Sequence, residues 1–481
     1  MTCHITVLRH RLPVWLIPLL WTLALGLWGL SRQHSVWRDE AATWQVAQRS
    51  GADIWHMLGQ VDAVHGLYYL LMHGLFTCFG PSTTTLRLPS VLAMAVAAAC
   101  VTIIGHRLVG VWAGLGGGLA FGLMPAVQFY LQEGRPYALV AAGAGISTLL
   151  LVTVLQGRGR TVHWAAYGGT VLACALLNWL SLLLLPAHLA TLIWTKAGRR
   201  MWTSWVMAAM AAVAAALPLI LFSRTQSDQV SWIPPLTGHM LIGPAVLLAI
   251  GTLGALLDRP RAGRLSLAAV ALPLLAVPQL GLIGLSLIQP LFLDRYVLFS
   301  MVGLALLIGA ALGTVVRATG PGFPKASRWL VPTVVVAAGV GLLPQSLAKR
   351  SPSSRVDDVL AVAADVRQLK RAGDAVLFIP AARRDTALVS PDAFTGLRDI
   401  ALVRSPEESG TLKGEEAGPH RIRTAMLAHQ RILLVTDASK VARTVSAERD
   451  KAKTAVLKKS FTVVADEQVR GRRVTVYERR G

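Results

Sequence analysis

Val36-Trp37-Arg38-Asp39-Glu40-Ala41-Ala42-Thr43-Trp44 comes shortly after an apolar run at 12–30 and sets two adjacent carboxylates between tryptophans. Carboxylates beside lipid are costly unless paired, solvated or used, and tryptophan favours the membrane–water boundary. The stretch therefore marks the end of a first membrane crossing. It also makes Asp39 and Glu40 the leading candidates for chemistry in a chain that is otherwise a ladder of apolar helices.

The rest of the composition agrees with that frame. Of the 481 residues, 54% are hydrophobic and 15% are charged. Charge is thin through Arg328 and dense after Lys349, which divides the chain into a polytopic membrane domain at 1–348 and a soluble domain at 349–481. Runs long enough to span the hydrocarbon core lie near 12–30, 89–106, 111–130, 136–155, 164–179, 180–195, 203–222, 240–257, 265–288, 296–316 and 329–348, about eleven crossings in all. No small-x-small cleavage site precedes the acidic pair, so 12–30 reads as a retained span.

The net charge of +22 does not point to nucleic acid. Many of the basic residues fall in alternate short loops: Arg9 and Arg11; Arg107; Arg158 and Arg160; Lys196, Arg199 and Arg200; Arg259, Arg261 and Arg264; Arg317, Lys325 and Arg328. The positive-inside rule places those loops, and the N-terminus, in the cytoplasm and the region after Lys349 outside. Before Lys349 the acids are Asp39, Glu40, Asp53, Asp62, Glu133, Asp228, Asp258 and Asp294, and all but Asp258 fall on the outer side. Acids gathered at one face with Arg135 and Arg295 suit a polar reaction or passage there. Asp53, Asp62 and Asp228 read most simply as solvated loop charges.

Other signals have simpler readings. Gly114, Gly116, Gly117, Gly118 and Gly122 lie in an apolar run and suit close helix packing better than nucleotide binding. His188 reads as a hydrogen-bonded packing histidine. Cys3, Cys78, Cys100 and Cys174 lack metal-ligand spacing. In the tail, Asp357–Arg371 suits an amphipathic helix, and Ala375–Ile379, Arg431–Thr436, Phe461–Ala465 and Arg473–Tyr477 suit strands, a small α/β fold. Arg398–Pro419 reads as an exposed loop, and no nucleophile elbow or phosphate loop is present in the tail.

Five segments together resemble glycosyltransferase family 39, GT-C enzymes that include protein O-mannosyltransferases and an aminoarabinose transferase of lipid A. They are Trp37-Arg38-Asp39-Glu40-Ala41, His65-Gly66-Leu67-Tyr68-Tyr69, Leu86-Arg87-Leu88-Pro89-Ser90, Gln132-Glu133-Gly134-Arg135-Pro136-Tyr137-Ala138 and Asp294-Arg295-Tyr296. The resemblance implies catalytic roles for Asp39, as base or acceptor-positioning group, and for its neighbour Glu40. It implies acceptor or divalent-metal contacts for Glu133 and His65, and donor-phosphate contacts for Arg135 and Arg295. At His65 the family's common His-Pro-Pro start is replaced by His65-Gly66-Leu67.

The residue types suit that chemistry in their own right. Transfer of a sugar from a polyprenyl phosphate needs a base near an acceptor hydroxyl, neutralisation of a phosphate leaving group and exclusion of water. Asp39 and Glu40 are adjacent, so one is expected at the acceptor and the other bracing a loop or a metal. The expectation is a multi-pass membrane glycosyltransferase with a polyprenyl-phosphate sugar donor, mannose among the candidate sugars, and a glycan, lipid or protein acceptor outside. The alternatives are a transporter or flippase of a lipid-linked sugar, and a non-catalytic scaffold presenting the tail.

Overall fold

The computed structural model describes residues 13–30, 34–226, 232–258, 265–442 and 446–481. Cys3, Arg9, Arg11, Asp228, Arg259, Arg261 and Arg264 lie outside the described residues. Helices dominate to Arg350 and an α/β unit follows.

Each predicted apolar run carries a helix, and the helix lengths do not confirm the count of eleven crossings. Among the described residues, six helices are long and apolar enough to cross a membrane: Thr83–Leu108, Tyr137–Arg158, Arg199–Arg224, Gly238–Leu257, Ala268–Ser286 and Asp294–Thr319. A seventh span results if the bent pair Pro324–Gly341 and Leu343–Arg350 is taken together. The remaining runs hold shorter helices because the chain breaks them. Pro125 opens a new helix, Pro125–Tyr130, just after Val111–Leu123, since proline lacks the N–H that would continue the first. A 3₁₀ segment at Trp179–Leu183, capped by Asn178, separates Thr161–Leu177 from Leu184–Trp194. Gly66–Phe79, between the predicted runs, is a further apolar helix.

The glycine-rich run packs helices backbone to backbone. A Cβ on Gly114 would stand 2.5 Å from the carbonyl oxygen of Thr102, and one on Gly309 would stand 2.3 Å from that of Ala113. Helices Thr83–Leu108 and Met301–Thr319 thus close on Val111–Leu123 from two sides, as small residues allow. His188 is a packing residue, with Nε2 3.1 Å from Thr148 Oγ1 and Nδ1 2.8 Å from the Tyr167 hydroxyl.

Among the described residues the α/β unit has seven strands: β1 Ala375–Ile379, β2 Arg398–Asp399, β3 Leu402–Arg404, β4 Glu415–Glu416, β5 Arg431–Asp437, β6 Phe461–Val469 and β7 Arg472–Arg479. Five form one sheet in the order β2-β1-β5-β7-β6, with β1 parallel to β2 and β5, and β7 antiparallel to β5 and β6. β1 is apolar throughout because both faces of the sheet are covered, Leu377 facing one core and Phe378 the other. Asp358 caps helix Val359–Leu369 by accepting from the Leu360 and Ala361 amides at 3.0 and 3.4 Å.

Arg398–Pro419 is not the exposed loop expected. It contains β2, β3 and β4, and Leu412 packs with Val46, Ile54, Met57, Leu58 and Tyr69 of the helical part. Strands of two or three residues in charged sequence carry no readable alternation. The α/β unit also grips the first acidic stretch. Val36 N donates to Asp358 Oδ1 at 3.2 Å, and Val359 N donates to the Val36 carbonyl at 2.8 Å.

Candidate active site

Helix Arg38–Ala47 begins directly after Trp37, so Asp39 and Glu40 occupy its first turn, where free N–H groups favour negative charge. Neighbouring positions on a helix point about 100° apart, and the two carboxylates diverge.

Glu40 turns inward. Its Oε1 accepts from Arg87 Nε and its Oε2 from Arg87 Nη2, each at 2.7 Å, and Gly134 N reaches Oε1 at 2.8 Å. Arg87 Nη2 also donates to the Ser35 carbonyl at 2.6 Å. Both side chains of the pair are 0% exposed. Burial pushes the Glu40 carboxyl up, but Arg87 and the Gly134 amide outweigh it and hold the group below its usual range. Glu40, expected either in the chemistry or as a brace, has both oxygens bound and no exposure, and it ties Arg87 to the Gly134 connection.

Asp39 faces a cavity. Its Oδ2 stands 3.1 Å from Arg295 Nη1, and its Oδ1 stands 3.7 Å from Arg38 Nε. Four rings surround the Arg295 guanidinium, with centroids at 5.8 Å for Trp37, 5.9 Å for Tyr137, 5.7 Å for Trp232 and 5.9 Å for Tyr296. Cation–π attraction and the Asp39 pair hold the planar group in one place.

Arg135 approaches the same space from the Leu131–Pro136 connection. Its Nη1 donates to Thr43 Oγ1 and to the Asp39 carbonyl, both at 3.4 Å, and its Nη2 lies 3.0 Å from His65 Nε2. His65 Nδ1 lies 2.7 Å from Asp62 Oδ1, and the Tyr69 hydroxyl donates to Asp62 Oδ2. Burial opposes the Asp62 charge, yet the hydrogen bonds it accepts from His65 and Tyr69, with the Arg135 charge beyond, hold its carboxyl below the usual range.

Asp39, His65, Arg135 and Arg295 line one cavity of about 1190 Å³. Leu177, Leu180, Ile220, Leu285 and Ile288 form an apolar flank, and Thr411, Leu412 and Lys413 of the α/β unit also contribute to its wall. Glu133 does not line it. Its side chain is buried and neither carboxyl oxygen has a hydrogen-bond partner among the described residues. Burial raises this carboxyl to about 7, against the opposing influence of Arg355.

His65 and Glu133 do not make the metal set expected of them. Both ring nitrogens of His65 are engaged, and among the described residues no group of three or more His, Cys, Asp or Glu side chains gathers to hold an ion.

Sequence reasoning missed several wall residues. Asp62 read as a solvated loop charge, yet it is 9% exposed and bound through both oxygens. Its spacing to His65 and Tyr69 on a turn entering a helix was the available signal. Trp232 lies beneath Arg38 and Arg295 at 5.5 and 5.7 Å. Lys413 of the wall, and Thr43, buried behind Arg135, carried no sequence signal.

No family model matches the chain, and no curated protein matches it. Solved structures do share its fold. Among them, ArnT from Cupriavidus metallidurans in the apo state superposes with a TM-score of 0.62 at 12% identity, covering 96% of this chain and 97% of that one. The same protein bound to undecaprenyl phosphate gives a TM-score of 0.59 at 12% identity, with the same coverage. The apo oligosaccharyltransferase of Archaeoglobus fulgidus gives 0.50 at 11% identity, covering 87% of this chain and 69% of that one. At such identities the likeness is one of fold.

Proposed function

We propose that this protein is an integral-membrane glycosyltransferase that moves a sugar from a polyprenyl-phosphate donor to an acceptor on the outer side of the membrane. The observation that carries the proposal is the cavity in which Asp39, Arg135 and Arg295 share walls with an apolar flank. A lipid phosphate needs that combination of cationic forks and a greasy channel. The ArnT structure bound to undecaprenyl phosphate, with the same fold, supports a ligand of this class. Mannose is one candidate sugar. The basic loops support a cytoplasmic N-terminus and an extracytoplasmic α/β unit.

In the proposed reaction Asp39 accepts the proton of the acceptor hydroxyl as that oxygen attacks the anomeric carbon. The bond from the anomeric carbon to the donor phosphate oxygen breaks, and its electron pair stays on the polyprenyl phosphate, facing Arg135 and Arg295. A single displacement inverts the anomeric centre. The Asp39–Arg295 pair adds an order to these events. A donor phosphate arriving at Arg295 competes with Asp39 for that arginine.

The test is transfer by the purified protein with a panel of polyprenyl-phosphate sugars and extracted cell-envelope acceptors. A labelled product that requires the lipid phosphate supports the proposal. Movement of the intact lipid-linked sugar between leaflets of a liposome, without transfer from any donor, would replace it with the flippase.

A further inference from the structure

Three side chains of the cavity wall, Asp62, His65 and Arg135, form a hydrogen-bonded chain with the buried Tyr69. The Tyr69 hydroxyl donates to Asp62 Oδ2, Asp62 Oδ1 lies 2.7 Å from His65 Nδ1, and His65 Nε2 lies 3.0 Å from Arg135 Nη2. The donors and acceptors admit one arrangement. An arginine has only N–H donors to offer, so Nε2 of His65 must accept. His65 is then neutral with its proton on Nδ1, and that N–H donates to the Asp62 carboxylate, which fixes the tautomer.

The turn that presents these groups is itself built for the purpose. Asp62 sits at φ 62°, the left-handed region that aspartate tolerates better than most residues. Gln226, from beyond the far end of helix Arg199–Arg224, locks the turn by accepting from Ala63 N at 3.0 Å and donating to the Leu58 carbonyl at 3.1 Å. At the other edge of the guanidinium, Arg135 Nη1 reaches Thr43 Oγ1 and the Asp39 carbonyl. The plane of Arg135 is thereby held from two sides.

We propose that Asp62 and His65 are positioning residues that aim the Arg135 fork at the donor phosphate, His65 acting as a neutral hydrogen-bond acceptor and not as a metal ligand. The proposal rests on the reading of Arg135 as a phosphate contact. A fork held in place binds a phosphate with less ordering cost than a free arginine. Glutamine at position 65 preserves the function, because its amide offers one acceptor and one donor at nearly the spacing of the two ring nitrogens. Leucine there leaves the guanidinium unheld on one side.

The experiment compares binding of undecaprenyl phosphate with binding of undecaprenol, the same chain without phosphate, in detergent by tryptophan fluorescence. The readout is the ratio of the two Kd values, which general loosening of the lipid channel does not change. His65→Leu is expected to lower the preference for phosphate about tenfold, as loss of a charge-assisted hydrogen bond does. His65→Gln should restore it to within about twofold. Arg135→Lys should lower it by at least as much as His65→Leu. Should His65→Leu fail to fold, Asp62→Asn replaces it, since an amide donating to Nδ1 turns the Nε2 lone pair into an N–H facing Arg135. If Arg135→Lys lowers the preference but neither His65→Leu nor Asp62→Asn does, the positioning role is overturned and the phosphate contact stands. If Arg135→Lys also leaves the preference unchanged, the reading of Arg135 fails and the positioning role fails with it.

Discussion

Arg295 Nη1 lies 3.1 Å from Oδ2 of Asp39, so the carboxylate proposed as base and an arginine proposed for the phosphate are partners before any substrate arrives. In the proposed reaction this contact couples donor to acceptor, because a phosphate that takes Arg295 leaves Asp39 with only Arg38, at 3.7 Å, as its charged partner among the described residues.

Asp39→Asn keeps the size of the side chain and removes the basic oxygen. Transfer should fall about 10²–10⁴-fold, while undecaprenyl phosphate binding survives. Near-normal transfer would remove Asp39 as base. Arg295→Lys keeps the charge but loses the planar fork and its stacking among four rings, and it should raise the donor KM more than the acceptor KM.

Glu40→Gln is expected to act on stability. It leaves Arg87 buried without its counter-charge, and breaking a buried pair costs about 3–5 kcal/mol. Loss of apparent Tm and of monodisperse protein should appear together. Replacing both partners, with Glu40→Leu and Arg87→Met, should recover part of the loss. A single variant as stable as the parent, with lost transfer, would return Glu40 to the chemistry.

Glu133 makes stability depend on pH. The folded chain holds this proton up to about 7, whereas the ordinary glutamate value is 4.5. Between those values the unfolded chain releases a proton that the folded chain keeps, so raising the pH favours unfolding. The parent should lose more apparent Tm between pH 5 and pH 8 than Glu133→Gln does. Equal slopes for the two proteins would place the carboxyl in a different environment.

The orientation of the α/β unit is open to labelling. In a background with Cys78→Ser, Thr424→Cys on exposed helix Pro419–Leu427 should react with an impermeant thiol reagent in intact cells. Arg199→Cys should react only after lysis. The reverse pattern would overturn the placement of the cavity on the outer side.

Much of this protein was legible before folding. Hydropathy located most of the apolar helices, though not Gly66–Phe79, and β1 at Ala375–Ile379 begins and ends where its apolar residues do. The order of the acidic and arginine motifs brought Asp39, Arg135 and Arg295 onto one list, and the fold brings them to one cavity. Helix geometry also anticipated that Asp39 and Glu40 must part. These properties depend on residues near in sequence, where spacing and polarity speak directly.

What only the tertiary structure decided depends on partners far away along the chain. Glu40 became a brace because Arg87 and Gly134 arrive at its two oxygens. Asp62 became a buried anchor because His65, Tyr69 and Arg135 converge on one turn. Leu412 and Lys413 joined the cavity wall because an irregular stretch docks on the membrane part. A side chain's charge is written in the sequence, but whether that charge reacts, braces or positions is set by which opposite charge reaches it and whether water can follow.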